Sequence, residues 1–86
     1  MDTDARVKQV LVQALMVDSA MVRDEALLVE DLGVSSLDRF ELLMGLEVEF
    51  GIEIHEQEME GVKTVADVSR YINKQINQAN PPSQPL

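Results

Sequence analysis

Cysteine and tryptophan are absent from this 86-residue chain, and histidine occurs once. Without cysteine there is no disulfide and no thiolate metal site, and a lone histidine excludes a multi-histidine one. Aromatic residues are only 3% of the chain, so a core drawn from its 45% hydrophobic residues is built mainly of Val, Leu, Ile and Met. All three prolines fall in the final segment Asn80–Leu86, which leaves the rest of the chain free of strong helix breakers other than glycine. No apolar run approaches the roughly 18 residues of a membrane span. The start, Met1-Asp2-Thr3-Asp4, has neither the basic flank nor the apolar stretch of a signal peptide. A soluble, cytoplasmic, monomeric protein is expected, with no membrane partner.

Basic residues are also scarce, 7 against 16 acidic ones, for a formal net charge of −9. A surface of that sign repels nucleic acid and attracts basic protein patches. At this length one domain is expected, near the lower limit for folding without covalent staples. The acidic residues show no Asp-x-Asp-x-Asp-Gly spacing, so no calcium loop is read, and no metal site is expected.

What is present is helical periodicity. From about Thr3 to Val17, Val7, Val10, Leu11, Ala14 and Leu15 recur at the i, i+3, i+4 spacing that lines one face. Asp2 and Asp4 stand at its start, where negative charge suits the helix dipole. Asp18–Val34 mixes apolar and acidic residues without a period. It reads as a long connection with a short helical turn, Leu28 and Leu32 plugging into the core.

Leu37–Phe50 is the strongest helix. Ser35 followed by Asp38 has capping-box spacing, which makes Ser35 the cap and places Ser36 at the first helical position with its side chain outward. At about 100° per residue, Leu42, Leu43, Leu46 and Phe50 share a core face. Leu37, Met44 and Val48 form a second apolar patch, and Phe40 is read as a core residue linking the two. Arg39 lies between core-facing directions and is expected to turn its charge outward. Gly51 suits a left-handed helix end. After an extended link through Ile52 and Ile54, His55–Gly61 holds a short helix, and lone His55 suits a surface or packing role. Thr64-Val65-Ala66-Asp67 is another capping box, opening a last helix to about Asn77 with Val65, Val68, Tyr71, Ile72 and Ile76 inward. The expectation is all-α: a small bundle of three main helices plus one short helix over residues 1–78, then a disordered Pro-rich tail at 79–86.

The centre of interest is Leu32-Gly33-Val34-Ser35-Ser36-Leu37-Asp38. A glycine turn delivers serines to a helix start, where backbone N–H groups and the dipole favour an attached phosphate. Leu32, Gly33, Ser36, Leu37, Asp38, Glu41 and Leu42 match in register the attachment motif of the acyl carrier proteins, an Asp-Ser-Leu preceded by Leu-Gly. Leu46–Ile54, Thr64–Asp67 and Tyr71-Ile72 continue the likeness, which spans roughly Val7–Ile76, so the chain resembles that family.

The resemblance implies a non-enzymatic carrier of acyl thioesters on a covalent 4′-phosphopantetheine arm, moved from coenzyme A to Ser36 by a phosphopantetheinyl transferase. It also implies delivery to acyl-transferring and ketosynthase-type enzymes with basic docking patches, in fatty-acid, polyketide or related biosynthesis. Leu37, Asp38, Glu41, Met44 and Glu47 are the candidate partner-docking residues. Core packing for Leu37 and Met44, a solvated helix face for the acids and simple capping for Ser36 are the plainer readings. Leu46, Val62 and Ile72 are candidate walls of a space for the cargo. The family's usual Asp before the serine is Ser35 here, which keeps a capping group but removes a charge. An unmodified acidic adaptor and an aminoacyl carrier stay open as alternatives.

Overall fold

The computed structural model describes residues 2–79. Its helices are α1 (Thr3–Leu15), α2 (Ser36–Phe50) and α3 (Val65–Ala79), with 3₁₀ turns at Ser19–Met21 and Glu56–Met59. Among the described residues there is no strand, only one isolated antiparallel bridge between Leu27 and Thr64. The all-α expectation holds, and the short helical turn expected in the long connection is the one at Ser19–Met21. The last helix runs to Ala79; the expected tail from Asn80 onward lies outside the described residues. None of the described helices is long and apolar enough to cross a membrane.

Each helix starts where a side chain replaces a missing backbone partner. Asp2 accepts from Ala5 N at 2.8 Å to open α1. Ser35 opens α2, and Thr64 opens α3 by accepting from Asp67 N at 3.1 Å. Asp67 returns the favour, its Oδ2 accepting from both Lys63 N and Thr64 N at 3.1 Å, while its other oxygen pairs with Arg70. Helix α1 stops at Leu15, two residues before the expected end. Met16 takes a left-handed conformation (φ 55°), and Val17 then folds back against the core. Gly51 ends α2 with φ 63°, its N–H donating to Glu47 O at 2.8 Å.

The core joins Val7, Val10 and Leu11 of α1 to Leu42, Leu43 and Leu46 of α2 and to Val65, Val68, Tyr71 and Ile72 of α3. Helix α1 packs against both others. At Gly45 a Cβ would stand 3.2 Å from Val10 Cγ1, so glycine lets α1 and α2 close up there. Arg6 fastens the same pair. Its Nε meets Glu49 Oε2 at 2.9 Å, Nη2 donates to Glu49 O at 2.8 Å, and the guanidinium lies 4.4 Å from the centre of the Phe50 ring. A cation on a terminal carbonyl and an aromatic face suits a helix C-terminus. Phe50, placed on the core stripe by its spacing, is half-buried under this contact.

Phe40 is a correction. It is 61% exposed, not a core residue. On a helix its direction lies within about 80° of Leu37, Met44 and Val48 and roughly 110° from the middle of the buried stripe. It therefore joins the outer patch and links it to nothing inside.

The connection between α1 and α2 is long but fixed. Val22, Ala26, Leu28, Leu32 and Val34 are all buried, Leu28 and Leu32 as expected. Its backbone is tied to the head of α3: Val65 N donates to Ala26 O at 3.1 Å, Ala66 N to Asp24 O at 2.9 Å, and Leu28 N to Lys63 O at 2.9 Å. Lys8 of α1 adds an ion pair to Asp24 at 3.0 Å. The second 3₁₀ turn is held by Glu58, whose Oε1 accepts from Tyr71 Oη at 2.7 Å and from Gln75 Nε2 at 3.0 Å. Burial, then the bond to Glu58, pushes the Tyr71 phenol up from its ordinary value.

Backbone hydrogen bonds from Lys63 and then Thr64 hold the Asp67 carboxyl below its ordinary 3.8. A depressed folded-state pKa stabilises the fold above the unfolded value, and that contribution is lost as pH falls through the folded one. Asp67→Ala is therefore expected to lower unfolding stability by about 1–2 kcal/mol at neutral pH. In urea titrations the gap between wild type and variant should close as the pH drops below about 3.8; a gap constant with pH contradicts the account.

Candidate functional site

The turn before α2 is built from the chain's own polar groups. Asp31 and Leu32 N–H both donate to Leu27 O, at 2.9 and 3.1 Å, and Asp31 Oδ2 accepts from Leu27 N at 2.8 Å. Gly33 N then donates to Val29 O and Val34 N to Leu28 O, both at 3.0 Å. These bonds need a left-handed residue between them, and Gly33 supplies φ 68°. No atom lies within 4 Å of the Cβ it lacks, so the backbone angle alone calls for glycine. Val34 is buried immediately afterwards and anchors the turn from below.

The chain then enters α2 through Ser35, whose backbone is extended. Its Oγ accepts from Asp38 N at 3.2 Å, and Asp38 Oδ2 accepts from Ser35 N at 3.2 Å. The capping box read from the spacing is present on both arms. Ser36 takes no part in it. It occupies the first position of α2 and is exposed, in the helix turn whose N–H groups have no partner within the helix. Those groups and the positive end of the α2 dipole suit a phosphodiester on that oxygen. The residues present fit a covalent phosphate-linked arm.

Along α2 from this point the outer face is apolar: Leu37 is 67%, Met44 50% and Val48 84% exposed, with Phe40 between them. Core packing of Leu37 and Met44 is thereby set aside. Asp38 and Glu41 flank the stripe within two turns of Ser36. Glu47 is differently placed. It is half-buried, and its Oε2 accepts from Ile54 N at 2.8 Å, tying the link after α2 back onto the helix. Glu49 is held by Arg6, while Glu53 and His55 are exposed.

Beside α2 lies a cavity of about 250 Å³, walled by Leu28, Val34, Leu42, Leu43, Met59 and Val62. Of the candidate cargo walls only Val62 borders it; Leu46 and Ile72 are fully buried in the core, where the α-helical stripes close on each other. Arg39 and Lys63 also line it, and neither was legible as a cavity residue. The wall that faces Arg39 across the cavity, Lys63 included, is set by the bonds between residues 26–28 and 63–65, a long-range contact that helical periodicity does not reveal. No group of three or more Asp, Glu or His side chains arranged for a metal ion occurs among the described residues.

A small helical bundle that presents an exposed serine outside the capping bonds at a helix start has the form required of a carrier of a covalently attached group. The chain belongs to the phosphopantetheine-attachment family: residues 5–72 match the family described as "Phosphopantetheine attachment site". It is 50% identical over 72 residues to the acyl carrier protein of Helicobacter hepaticus (strain ATCC 51449 / 3B1), a match covering 84% of this chain and 95% of that one. The protein is accordingly a carrier rather than an enzyme, and its cofactor is covalent 4′-phosphopantetheine. That role entails exchange with transferases and biosynthetic enzymes.

The two adjacent serines divide their work, and stability measurements separate them. Ser35→Ala removes the cap and is expected to cost about 1 kcal/mol, while Ser36→Ala should stay within about 0.5 kcal/mol of wild type. Urea denaturation of the unmodified proteins checks this; equal losses from both substitutions would refute the division.

Proposed function

We propose that Ser36 is the attachment point and that the protein carries acyl intermediates between enzymes of fatty-acid, polyketide or related biosynthesis in the cytoplasm, as a monomer. The observation that carries the assignment is the separation of roles at the head of α2: Ser35 is engaged in the capping box, and Ser36 is exposed and uncommitted. In the transfer from coenzyme A, a new bond joins Ser36 Oγ to the phosphorus bearing the pantetheine. The bridging P–O bond to the adenosine portion breaks, and the hydroxyl proton leaves to a base of the phosphopantetheinyl transferase. Once attached, the arm supplies a terminal thiol on which an acyl group is held as a thioester. The chain's part is to hold the serine still and present a surface to partners.

That surface is the outer face of α2. Leu37 and Met44 provide exposed apolar contact beside the arm, methionine being adaptable to differently shaped partners. Asp38 and Glu41 offer negative charge to basic patches on acyl-transferring and ketosynthase-type enzymes. Glu47 lies at the inner border of this face, with one oxygen already committed to Ile54 N. Ser35 in place of an aspartate leaves the turn capped but one charge poorer, so contacts with a basic transferase are weakened rather than lost.

Incubation with coenzyme A and a broad-specificity phosphopantetheinyl transferase, read by intact mass, tests the site. Wild type and Ser35→Ala are expected to gain one phosphopantetheine and Ser36→Ala none. Gain on Ser36→Ala overturns the assignment. Ser35→Asp should raise the loading rate, and Glu41→Lys should lower it by roughly threefold to tenfold at low salt, with the deficit shrinking as salt rises.

A further inference from the structure

Helices α1 and α2 run antiparallel in a steady register. Arg6 meets Glu49, Val10 stands against Gly45, and Ala14 shares a groove with Glu41. That groove is open and of about 440 Å³, bordered by Gln13 and Ala14 on the α1 side and by Glu41, Met44 and Val48 on the α2 side. Gly45 and Val10 meet at its floor. Glycine puts no side chain there, and the nearest atom to its absent Cβ is Val10 Cγ1 at 3.2 Å. Ala14 adds only a methyl group to one wall, while Met44 and Val48 on the other are 50% and 84% exposed.

Two properties of the groove narrow its occupant. Both walls are mid-helix, where backbone groups are bonded within their own helix, so an extended peptide finds no backbone partner. A helix brings its own backbone bonds and packs its side chains into the channel between two others. The charge is also one-sided. Glu49 is paired with Arg6 at the end where the helices are fastened. Glu41, two turns nearer Ser36, is exposed, and none of the ion pairs of the described residues engages it. With a net charge of −9 behind it, that end attracts a basic helix and repels an acidic one or an anionic membrane. Gly45 lies one turn from Glu41, and on a helix groups three or four residues apart span that distance.

We infer that the groove between α1 and α2 docks a single amphipathic helix of a partner protein. That helix seats a bulky apolar side chain over Gly45 and pairs a Lys or Arg, three or four residues away, with Glu41. Partners that read only the outer face of α2 make no use of Gln13, Ala14 or Gly45. The groove therefore separates partners that carry such a helix from those that do not. No wall of it includes Ser36, so the inference is independent of where the arm is attached.

The test is a selection from a phage-displayed library of helices of about 15 residues, randomised on one face, against the full unmodified chain and its Ser36→Ala variant. Both should enrich the same sequences, with a Lys or Arg three or four positions from Phe, Leu or Met. A synthetic copy of the strongest binder should shift the amide NMR resonances of Val10, Gln13, Ala14 and Gly45. Its affinity should fall about tenfold for Ala14→Lys, which sets a charge in the apolar wall. For Glu41→Gln it should fall about twofold to fivefold, a loss that fades at high salt. Phe40→Ala, on the outer patch, should stay within about twofold of wild type. Val48→Ser, at an exposed position, should also weaken binding and serves if Ala14→Lys does not fold. A library without enrichment overturns the inference, as do acidic winners or shifts confined to Leu37 and Phe40. Equal affinity for wild type, Ala14→Lys and Val48→Ser overturns it too. The same amides shifting with phosphatidylcholine vesicles, or with protein concentration alone, assign the groove to lipid or to a second copy and likewise overturn it.

Discussion

The placement of everything near Ser36 depends on backbone bonds between the long connection and the head of α3. The first N–H groups of a helix have no partner inside it, and the carbonyls of an irregular segment have none in a ladder. Here each set answers the other: Val65 and Ala66 donate to Ala26 and Asp24, and Leu28 donates back to Lys63. A buried segment without regular structure thereby leaves little unsatisfied. Val22, Ala26, Leu28, Leu32 and Val34 are set into the core by it, and the turn at Gly33 is aimed at α2. Were these bonds absent, Ser36 would still cap no one and face water, but nothing would fix the cavity wall opposite it.

Electrostatics act at two ranges on this protein. At long range the net charge of −9 steers basic partners from any side, and salt screens it within about 8–10 Å. At contact range far fewer acids are available than that sum suggests. Asp38 serves Ser35 N, Glu47 serves Ile54 N, Glu49 serves Arg6, Glu58 serves Tyr71 and Asp67 serves its own cap. An acid spent on a backbone N–H remains charged but cannot reorient freely toward a partner. Glu41 is exposed beside the apolar stripe and has no such commitment.

Much of this was legible because it is local. Both capping boxes follow from spacing, the glycine helix end at Gly51 from backbone freedom, and the buried stripes from a period of 3.6. Leu28 and Leu32 were readable as core plugs because nothing else in that acidic segment could shield so much apolar surface. Phe40 misled because size and apolarity suggest burial while its direction on α2 says otherwise; direction is the better guide on a helix that uses only one face. Met16 ending α1 in a left-handed conformation had no signal, since a methionine there gives up about 1–2 kcal/mol that a glycine would not. The cavity was illegible for a different reason. Its walls come from four separate segments, and only their pairing in space makes Arg39 and Lys63 neighbours of the same recess.

The two sides of that recess differ in how they are held. Helix α2 is gripped in its C-terminal half by α1, through the close approach at Gly45 and the Arg6 contacts to Glu49 and Phe50. The opposite wall consists of residues 27–30 and 59–63, irregular backbone joined by a handful of hydrogen bonds. Segments of that kind open at lower free energy than a packed helix. Any change in the volume of the recess thus falls first on the wall carrying Lys63, Glu30 and Glu60, and only then on α2.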